Sequence, residues 1–436
     1  MSVKYKDYHH PKSFRMNLFP KLLIMLVLTL LLFSCTEIRQ QPSYEFTISN
    51  PAESGSQYPN LYRDASGTIT MSWILKIEED LNSIQYATYN ENGWTAPQTV
   101  NISSDYFVNW ADFPSVVSTN GEAVAAHWLR KIEGGPYAYN VNIVFPEEQD
   151  RRWTDPIVPH NDGTATEHGF VSMVPLSEDR VLAVWLDGRQ TEDRADDEYS
   201  DPEKAMTLRS AEVSMDGSVT RMREIDNMVC DCCATDLAMI DGKAAVVYRD
   251  RTENEIRDIS IAHYDTTTGE WTEPENVHND GWEISGCQVN GPKIDNRKRK
   301  TAVTWYTEAG GEGRVLLATS VDGGQTFGDP IEISDENTTG RTDVAVGENG
   351  IVYASWFATA DNNGYVMMRS TSENGSPGNP IQVGITAQGR RSGFPQMALL
   401  NDGLLLVWTQ TDPLIRVRSA KVRFSQIEQA NATEPG

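Results

Sequence analysis

Short runs in which apolar and polar residues alternate recur along the whole chain, and one kind of run repeatedly ends in Trp or Tyr. These runs are TITMSW to Trp73, EAVAAHW to Trp128, RVLAVW to Trp185, KAAVVY to Tyr248, KTAVTW to Trp305, IVYASW to Trp356 and LLLVWT around Trp408. A period of two belongs to strands, because successive side chains point to opposite faces. The aromatics lie 51 to 63 residues apart, a spacing that suits a propeller or a solenoid. No helical rhythm interleaves with them, which selects an all-β propeller of four-stranded blades.

Each repeat opens upstream of its aromatic with a short strand such as FPSVVS at Phe113, GFVSMV at Gly169 or FPQMAL at Phe394. A third strand follows (IQYATY, NVNIVF, DISIAHY, VLLATS, IRVRSAKV), then an edge-like fourth (PQTVNIS, DPIVPH, MREID, PENVHND, PIEIS, PIQVG). Six fourth strands serve seven repeats. YEFTIS, Tyr44 to Ser49, lies ahead of the first repeat and supplies the missing one, closing the ring and leaving no unpaired sheet edge. The expectation is a single propeller domain over residues 44–423, with seven blades and six as the competing count. A linker spans 36–43, and the polar stretch 424–436 reads as a disordered tail.

The amino terminus changes the setting of this domain. Lys4, Lys6, Lys12, Arg15 and Lys21 precede the apolar run LLIMLVLTLLLF, Leu22 to Phe33, and then Ser34 and Cys35. A basic head before an apolar segment too short to span a bilayer comfortably reads as a secretory signal. Leu32-Phe33-Ser34-Cys35 resembles a bacterial lipobox, which makes residues 1–35 a lipoprotein signal and Cys35 the lipidated residue. The expected location is the bacterial cell envelope, lipid-anchored at the outer membrane or cell surface. Without residues 1–35 the chain holds 32 Lys+Arg against 61 Asp+Glu, a net charge of -29. Such a surface repels nucleic acid and anionic lipid, so the membrane is a partner through the anchor alone. The expected state is a monomer.

Loops entering each blade and loops joining second to third strands meet at one face of a propeller, where ligand sites lie. On those loops this acidic chain gathers Arg189, Arg249, Arg251, Arg257, Arg341, Arg390 and Arg391. Converging guanidinium groups suit a carboxylate, sulfate or phosphate through paired charge-assisted hydrogen bonds. The competing reading is that each Arg pairs with a local carboxylate, as Arg249 with Asp250 or Arg257 with Asp258.

MVCDCCATD places Cys230, Cys232 and Cys233 on the loop entering one blade, and SGCQVNGP places Cys287 on the matching loop of the next. Once Cys35 is lipidated, an even four remain in an oxidising compartment, which points to disulfides, with Cys232 or Cys233 joined to Cys287. The alternative is a soft metal site for copper(I) or zinc, supplemented by Met228, Met239 or His168. Otherwise no cofactor is expected. His127, His263 and His278 lie on or beside strands and read as packing residues.

SVDGGQTF, Ser320 to Phe327, matches the Asp box, and CDCCATD, RDISIA, GCQVNGP and SGFPQM resemble segments of bacterial sialidase-like proteins. From about Tyr44 to Arg423 the chain thus resembles the sialidase superfamily of Asp-box (BNR-repeat) propellers. The resemblance implies an arginine clamp on a sugar carboxylate, a Tyr nucleophile assisted by Glu, and an Asp acid/base. Arg257, Arg341 and Arg390 or Arg391 are the clamp candidates, and Tyr306, Glu308, Asp112 and Asp258 the catalytic ones. The chain departs from the enzymes in its seven repeats against their six, in its single strict Asp box, and in Tyr58-Pro59-Asn60 standing where an early Arg motif belongs. Three functions remain open: binding of an anionic glycan without turnover, hydrolysis of sialic acid or a related acidic sugar as an exo-alpha-sialidase, and a metal or redox accessory role built on the cysteines.

Overall fold

The computed structural model describes residues 46–147, 152–195, 201–286 and 288–433. Seven antiparallel sheets follow one another in chain order, each a meander except the last, which adds a strand from the start of the chain. Their first strands are Ser56–Arg63, Ser115–Thr119, His168–Ser177, Asp236–Ile240, Lys293–Arg297, Asp343–Val346 and Gln396–Leu399. Each first strand contacts the first strands of the blades on either side, so the seven line a central channel. The chain is an all-β, seven-bladed propeller.

The last blade takes its outer strand from the other end of the chain. Thr47–Ile48 pairs antiparallel with Ala420 and Ser419, and Asn50 donates to the Val417 carbonyl at 3.2 Å and to Ser419 Oγ at 3.1 Å. This is the closure read from YEFTIS, with Thr47 and Ile48 forming the ladder among the described residues of that segment. Blade two has three regular strands among the described residues. The expected DPIVPH strand contributes a single bridge, Ile157 to Ile143, since Pro156 and Pro159 have no N–H to give a ladder.

Trp73, Trp185, Tyr248, Trp305 and Trp356 are at most 1% exposed, and Trp128 and Trp408 are nearly so. The repeating aromatic is therefore the plug between neighbouring sheets, and the apolar clusters around it are built from adjacent blades. The strand-joining turn at Ser320 is held by Asp322, whose Oδ1 accepts the Gln325 and Thr326 amides at 3.0 Å, a structural role.

Residues 424–436 do not form the expected tail throughout: Phe424–Ala432 is an α-helix. Its polar composition hides two anchors, Ile427, which is 4% exposed, and Phe424, which stacks on Tyr353 with ring centroids 5.6 Å apart. Asn431 fastens the far end by accepting from the Asn379 amide and donating to Ser370 Oγ.

First strands of adjacent blades are clasped by carboxylates. Asp64 accepts the Gly121 amide, Asp112 that of Phe170, Asp236 that of Ile294, Asp295 that of Val346 and Asp343 that of Met397, at 2.6 to 2.9 Å. Lys293, whose ammonium lies 3.6 Å from Asp236, also faces Asp343 electrostatically. Burial pushes Asp295 up to about 6, against the Val346 and Asn296 amides and Arg63, and Asp343 up to about 7, against Lys293 and the backbone donors.

For Asp343 the folded protein holds a proton that the unfolded chain releases near 4. Its contribution to stability is therefore full at low pH and is lost as pH rises through about 7. Urea unfolding of Asp343→Asn and the parent at pH 5 and pH 8 should show the variant gaining relative to the parent at the higher pH, by about 2.5 kcal/mol. An equal difference at both values would remove the titration from this clasp.

Candidate functional site

The antiparallel register places the start of a first strand beside the end of its second, as His168 faces Asp187 and Ser56 faces Leu75. The blade-entry loops and the second-to-third loops therefore share one mouth of the channel. Left-handed backbone at Tyr58, Phe170, Val289 and Arg341, with φ between 50° and 54°, recurs where loops turn into first strands. For bulky residues that conformation costs energy and persists only where surroundings enforce it.

Three groups of side chains occupy this mouth. The first joins the sixth and seventh blades to the loop before the second. The Arg341 guanidinium lies 4.7 Å from the Phe357 ring centroid, 5.0 Å from Trp110 and 5.9 Å from Phe394. Its Nη1 donates to the Gly393 carbonyl at 3.0 Å. Burial, then the neighbouring Arg390, lowers Arg341 to about 10. Trp110 is half-buried and stacks on Phe394 with centroids 5.6 Å apart, and Arg390 lies 5.8 Å from Trp110. Arg390 and Arg391 are exposed. Neither forms an ion pair among the described residues.

The second group is acidic. Tyr139 donates its hydroxyl to Glu167 Oε1 at 2.5 Å, and Phe107 stacks on Tyr139 at 4.0 Å. Burial pushes Glu167 up to about 7, opposed by the Tyr139 hydrogen bond. Burial likewise raises Asp112 well above the carboxylate range, the Phe170 amide opposing. A carboxyl that titrates near neutrality can take or give a proton at physiological pH. Glu167 is not among the site residues read from the sequence. Beside it, His160 and His168 stack 3.7 Å apart and both approach Asp162, at 3.3 and 3.2 Å. Burial raises Asp162, but hydrogen bonds from His168 and Thr164 outweigh it and hold the group far below its usual range.

The third group surrounds the cysteines. Arg249 donates to the carbonyls of Asn290, Arg257 and Tyr306 at 2.6 to 3.1 Å. Arg257 pairs with Glu255 at 2.7 Å and reaches Cys230 Sγ at 3.5 Å. Arg251 and Arg194 both meet Asp231, at 3.5 and 2.7 Å. Cys230 and Cys233 are free cysteines with sulfurs 2.9 Å apart. Cys232 is disulfide-bonded, and Cys287, the partner expected for this loop, lies outside the described residues, as does Cys35. Of the metal ligands suggested beside the thiols, His168 does not join them: it is committed to Asp162 and to the Thr166 carbonyl.

The single arginine-lined pocket expected from the sequence is thus divided. Arg189 is spent on Asp187, at 2.6 and 2.8 Å; Arg249 is saturated by backbone carbonyls; Arg257 is completely buried against Glu255. Arg341 serves as the floor under Trp110, which leaves Arg390 and Arg391 turned to solvent. The catalytic candidates are also redistributed. Asp112 is a clasp between blades. Asp258 caps the next blade-entry loop by accepting the Gly281 and Trp282 amides at 3.0 and 3.1 Å. Tyr306 donates to Glu308 at 2.5 Å, and burial with the Glu308 contact drives its phenol above its usual range, the reverse of what a nucleophile needs.

No protein-family model and no curated protein matches the chain. Among solved structures it is similar to an ulvan lyase of a polysaccharide lyase family, bound to a repeat of GlcA and Rha3S, with 12% identity over 89% of this chain and 100% of that one and a TM-score of 0.51. A Dyadobacter fermentans protein of unknown function has 11% identity over 86% and 97%, with a TM-score of 0.46. The NanB sialidase of Streptococcus pneumoniae has 11% identity over 87% and 70%, with a TM-score of 0.42. At these identities the likeness is one of fold.

Replacing Arg249 by Ala strands three buried carbonyls and should cost about 3–5 kcal/mol in urea unfolding or abolish soluble expression. Arg390→Ala and Arg391→Ala should each stay within about 0.5 kcal/mol of the parent. A mild Arg249→Ala would return that residue to the list of ligand contacts.

Proposed function

We propose that this propeller binds an anionic carbohydrate at the mouth of its channel. The observation that carries the reading is the pair Arg390 and Arg391, exposed and without carboxylate partners among the described residues, with Arg390 5.8 Å from the half-buried ring of Trp110. In a chain of formal net charge -25, unpaired surface guanidinium groups next to an aromatic face are an uncommon investment. They suit a sugar whose ring lies on Trp110 while its carboxylate or sulfate meets the planar forks. Arg341, clamped between aromatics and carbonyls, holds the platform and adds positive potential from below. The ulvan lyase of the same fold is bound to a repeat of GlcA and Rha3S, a ligand class that agrees with this chemistry.

Binding without turnover is favoured over a sialidase reaction. A retaining sialidase needs an activated Tyr and a clamp of arginines on the sugar carboxylate, whereas here Tyr306 is held protonated and Arg249 and Arg257 are committed inside the loops. The leader ending at Cys35 suits a protein that meets extracellular glycans from the bacterial envelope, held there by lipid.

Titration calorimetry of the mature protein against a panel of uronate-bearing, sulfated, sialylated and neutral oligosaccharides tests the proposal. Binding should be confined to acidic members, weaken with added salt, and fall at least about tenfold in Arg390→Ala/Arg391→Ala, equivalent to about 1.4 kcal/mol. No turnover of a fluorogenic sialoside is expected. Equal binding of neutral sugars, or an unchanged double variant, would refute the site.

A further inference from the structure

We propose that Cys230 and Cys233 form a redox-active dithiol that undergoes thiol–disulfide exchange with a low-molecular-weight disulfide, Cys230 attacking and Cys233 resolving. The two cysteines are spaced C-x-x-C within the crowded CDCC run, and their sulfurs stand 2.9 Å apart, inside van der Waals contact. Cys232 points elsewhere in bonding terms, being disulfide-bonded, so exactly two thiols remain reduced in the cluster.

Their surroundings make the two sulfurs unequal. Arg257 Nη1 lies 3.5 Å from Cys230 Sγ, and the Arg249 guanidinium adds a second positive charge. The Cys233 thiol, as hydrogen-bond partner, and then the two arginines lower Cys230 below the ordinary thiol range despite its burial. Burial and the anionic neighbour raise Cys233. A stabilised thiolate beside a protonated thiol is the arrangement in which one sulfur attacks and the other waits. The Gly291 backbone packs so close to this loop that a Cβ there would lie 1.9 Å from the Ala234 carbonyl oxygen, so the cysteine loop is held in place against the next blade.

The step balances with a disulfide RSSR as oxidant. The Cys230 thiolate attacks one sulfur of RSSR, forming a Cys230–SR mixed disulfide and expelling RS⁻, which takes up a proton. Cys233 then loses its proton and attacks Cys230 Sγ, forming the Cys230–Cys233 bond and releasing the second RS⁻. The protein dithiol is oxidised by two electrons and RSSR is reduced to two RSH.

A resident metal is less compatible with the same atoms. Two thiolates on one zinc or copper(I) ion with bonds near 2.3 Å stand well over 3 Å apart, and the guanidinium groups of Arg249 and Arg257 occupy the electrostatic position that favours an anion. With Cys232 already bonded, only two sulfur ligands are left.

The test uses the mature protein purified without reductant, treated with oxidised glutathione at pH 7 and analysed by thiol titration and peptide mapping. Two thiols should be lost per chain, two equivalents of glutathione released, and a Cys230–Cys233 link found. Cys233→Ser should stop at a Cys230–glutathione adduct, and Cys230→Ser should react at least tenfold more slowly. Because either variant can fold poorly, the parent's alkylation rate is measured against pH as well; its midpoint should lie below the value of about 8.5 for an ordinary thiol. Thiols that react only after denaturation, an ordinary alkylation midpoint, or stoichiometric copper or zinc released on oxidation would each overturn the proposal.

Discussion

The interaction on which the rest of this molecule depends is a carboxylate oxygen accepting a backbone amide across the gap between two blades. Within a blade the strands satisfy one another, but the first strands of adjacent blades are not hydrogen-bonded as a ladder, and a channel lined by seven of them has to be held at fixed spacing by something else. Asp64, Asp112, Asp236, Asp295 and Asp343 each span one such gap; between the third and fourth blades Thr235 does so by donating to the Phe170 carbonyl at 2.9 Å, and the seventh meets the first where Thr409 Oγ1 accepts the Tyr58 amide at 2.8 Å. A buried acceptor with a matched donor fixes distance and direction together, which apolar packing alone does not. The cost appears in the weakened acidity of Asp295 and Asp343, and for Asp343 Lys293 offsets part of it.

Because the clasps set the blades, they also set the mouth. Arg341 can floor the Trp110 platform only if the sixth blade presents its entry loop to the Gly393 carbonyl of the seventh at 3.0 Å. Arg249 likewise reaches across to Asn290 and Tyr306 of the following blade. Arginine therefore does two jobs here that look identical in one dimension. Buried guanidinium groups staple loops by donating to carbonyls, which present no charge and leave no sequence trace; exposed ones remain available to an anion.

That difference decides what could be read from the chain. Blade number and the closing strand were legible because alternation and the recurring Trp or Tyr are local, and each plug needs only the sheet beside it. The outer segment of blade two takes its expected place but is reduced to one bridge, Ile157 to Ile143, because Pro156 and Pro159 carry no N–H for a ladder. The terminal helix was missed because nine mostly polar residues conceal just two anchors, Phe424 and Ile427, whose value depends on Tyr353 lying opposite. Site residues were legible only as types on loops. Asp112 and Asp258 carry the composition of catalysts, and nothing local reveals that their oxygens are filled by amides from the next blade. Glu167 shows the converse, since its neutral-range carboxyl comes from burial beside Tyr139, a neighbour 28 residues away.

Asn290 connects the two regions of the mouth that retain chemistry. Its carbonyl accepts from Arg249, its side-chain oxygen accepts the Arg341 amide at 2.8 Å, and its own amide donates to the Cys233 sulfur. One residue thus touches the dithiol, the buried staple and the floor of the cationic platform. Contiguity of this kind transmits nothing unless some element has two states. The cysteine pair supplies them: closing the sulfur–sulfur bond removes the anion that Arg257 and Arg249 face and draws Cys233 toward Cys230, while the Asn290 amide stays bound to the ring by its other two contacts. Any effect on Arg341 must then arrive as a change in the position of its amide, because its guanidinium is fixed independently by Gly393 and the aromatic rings. The platform is accordingly shielded from the cysteine loop at its charged end and joined to it only through the backbone.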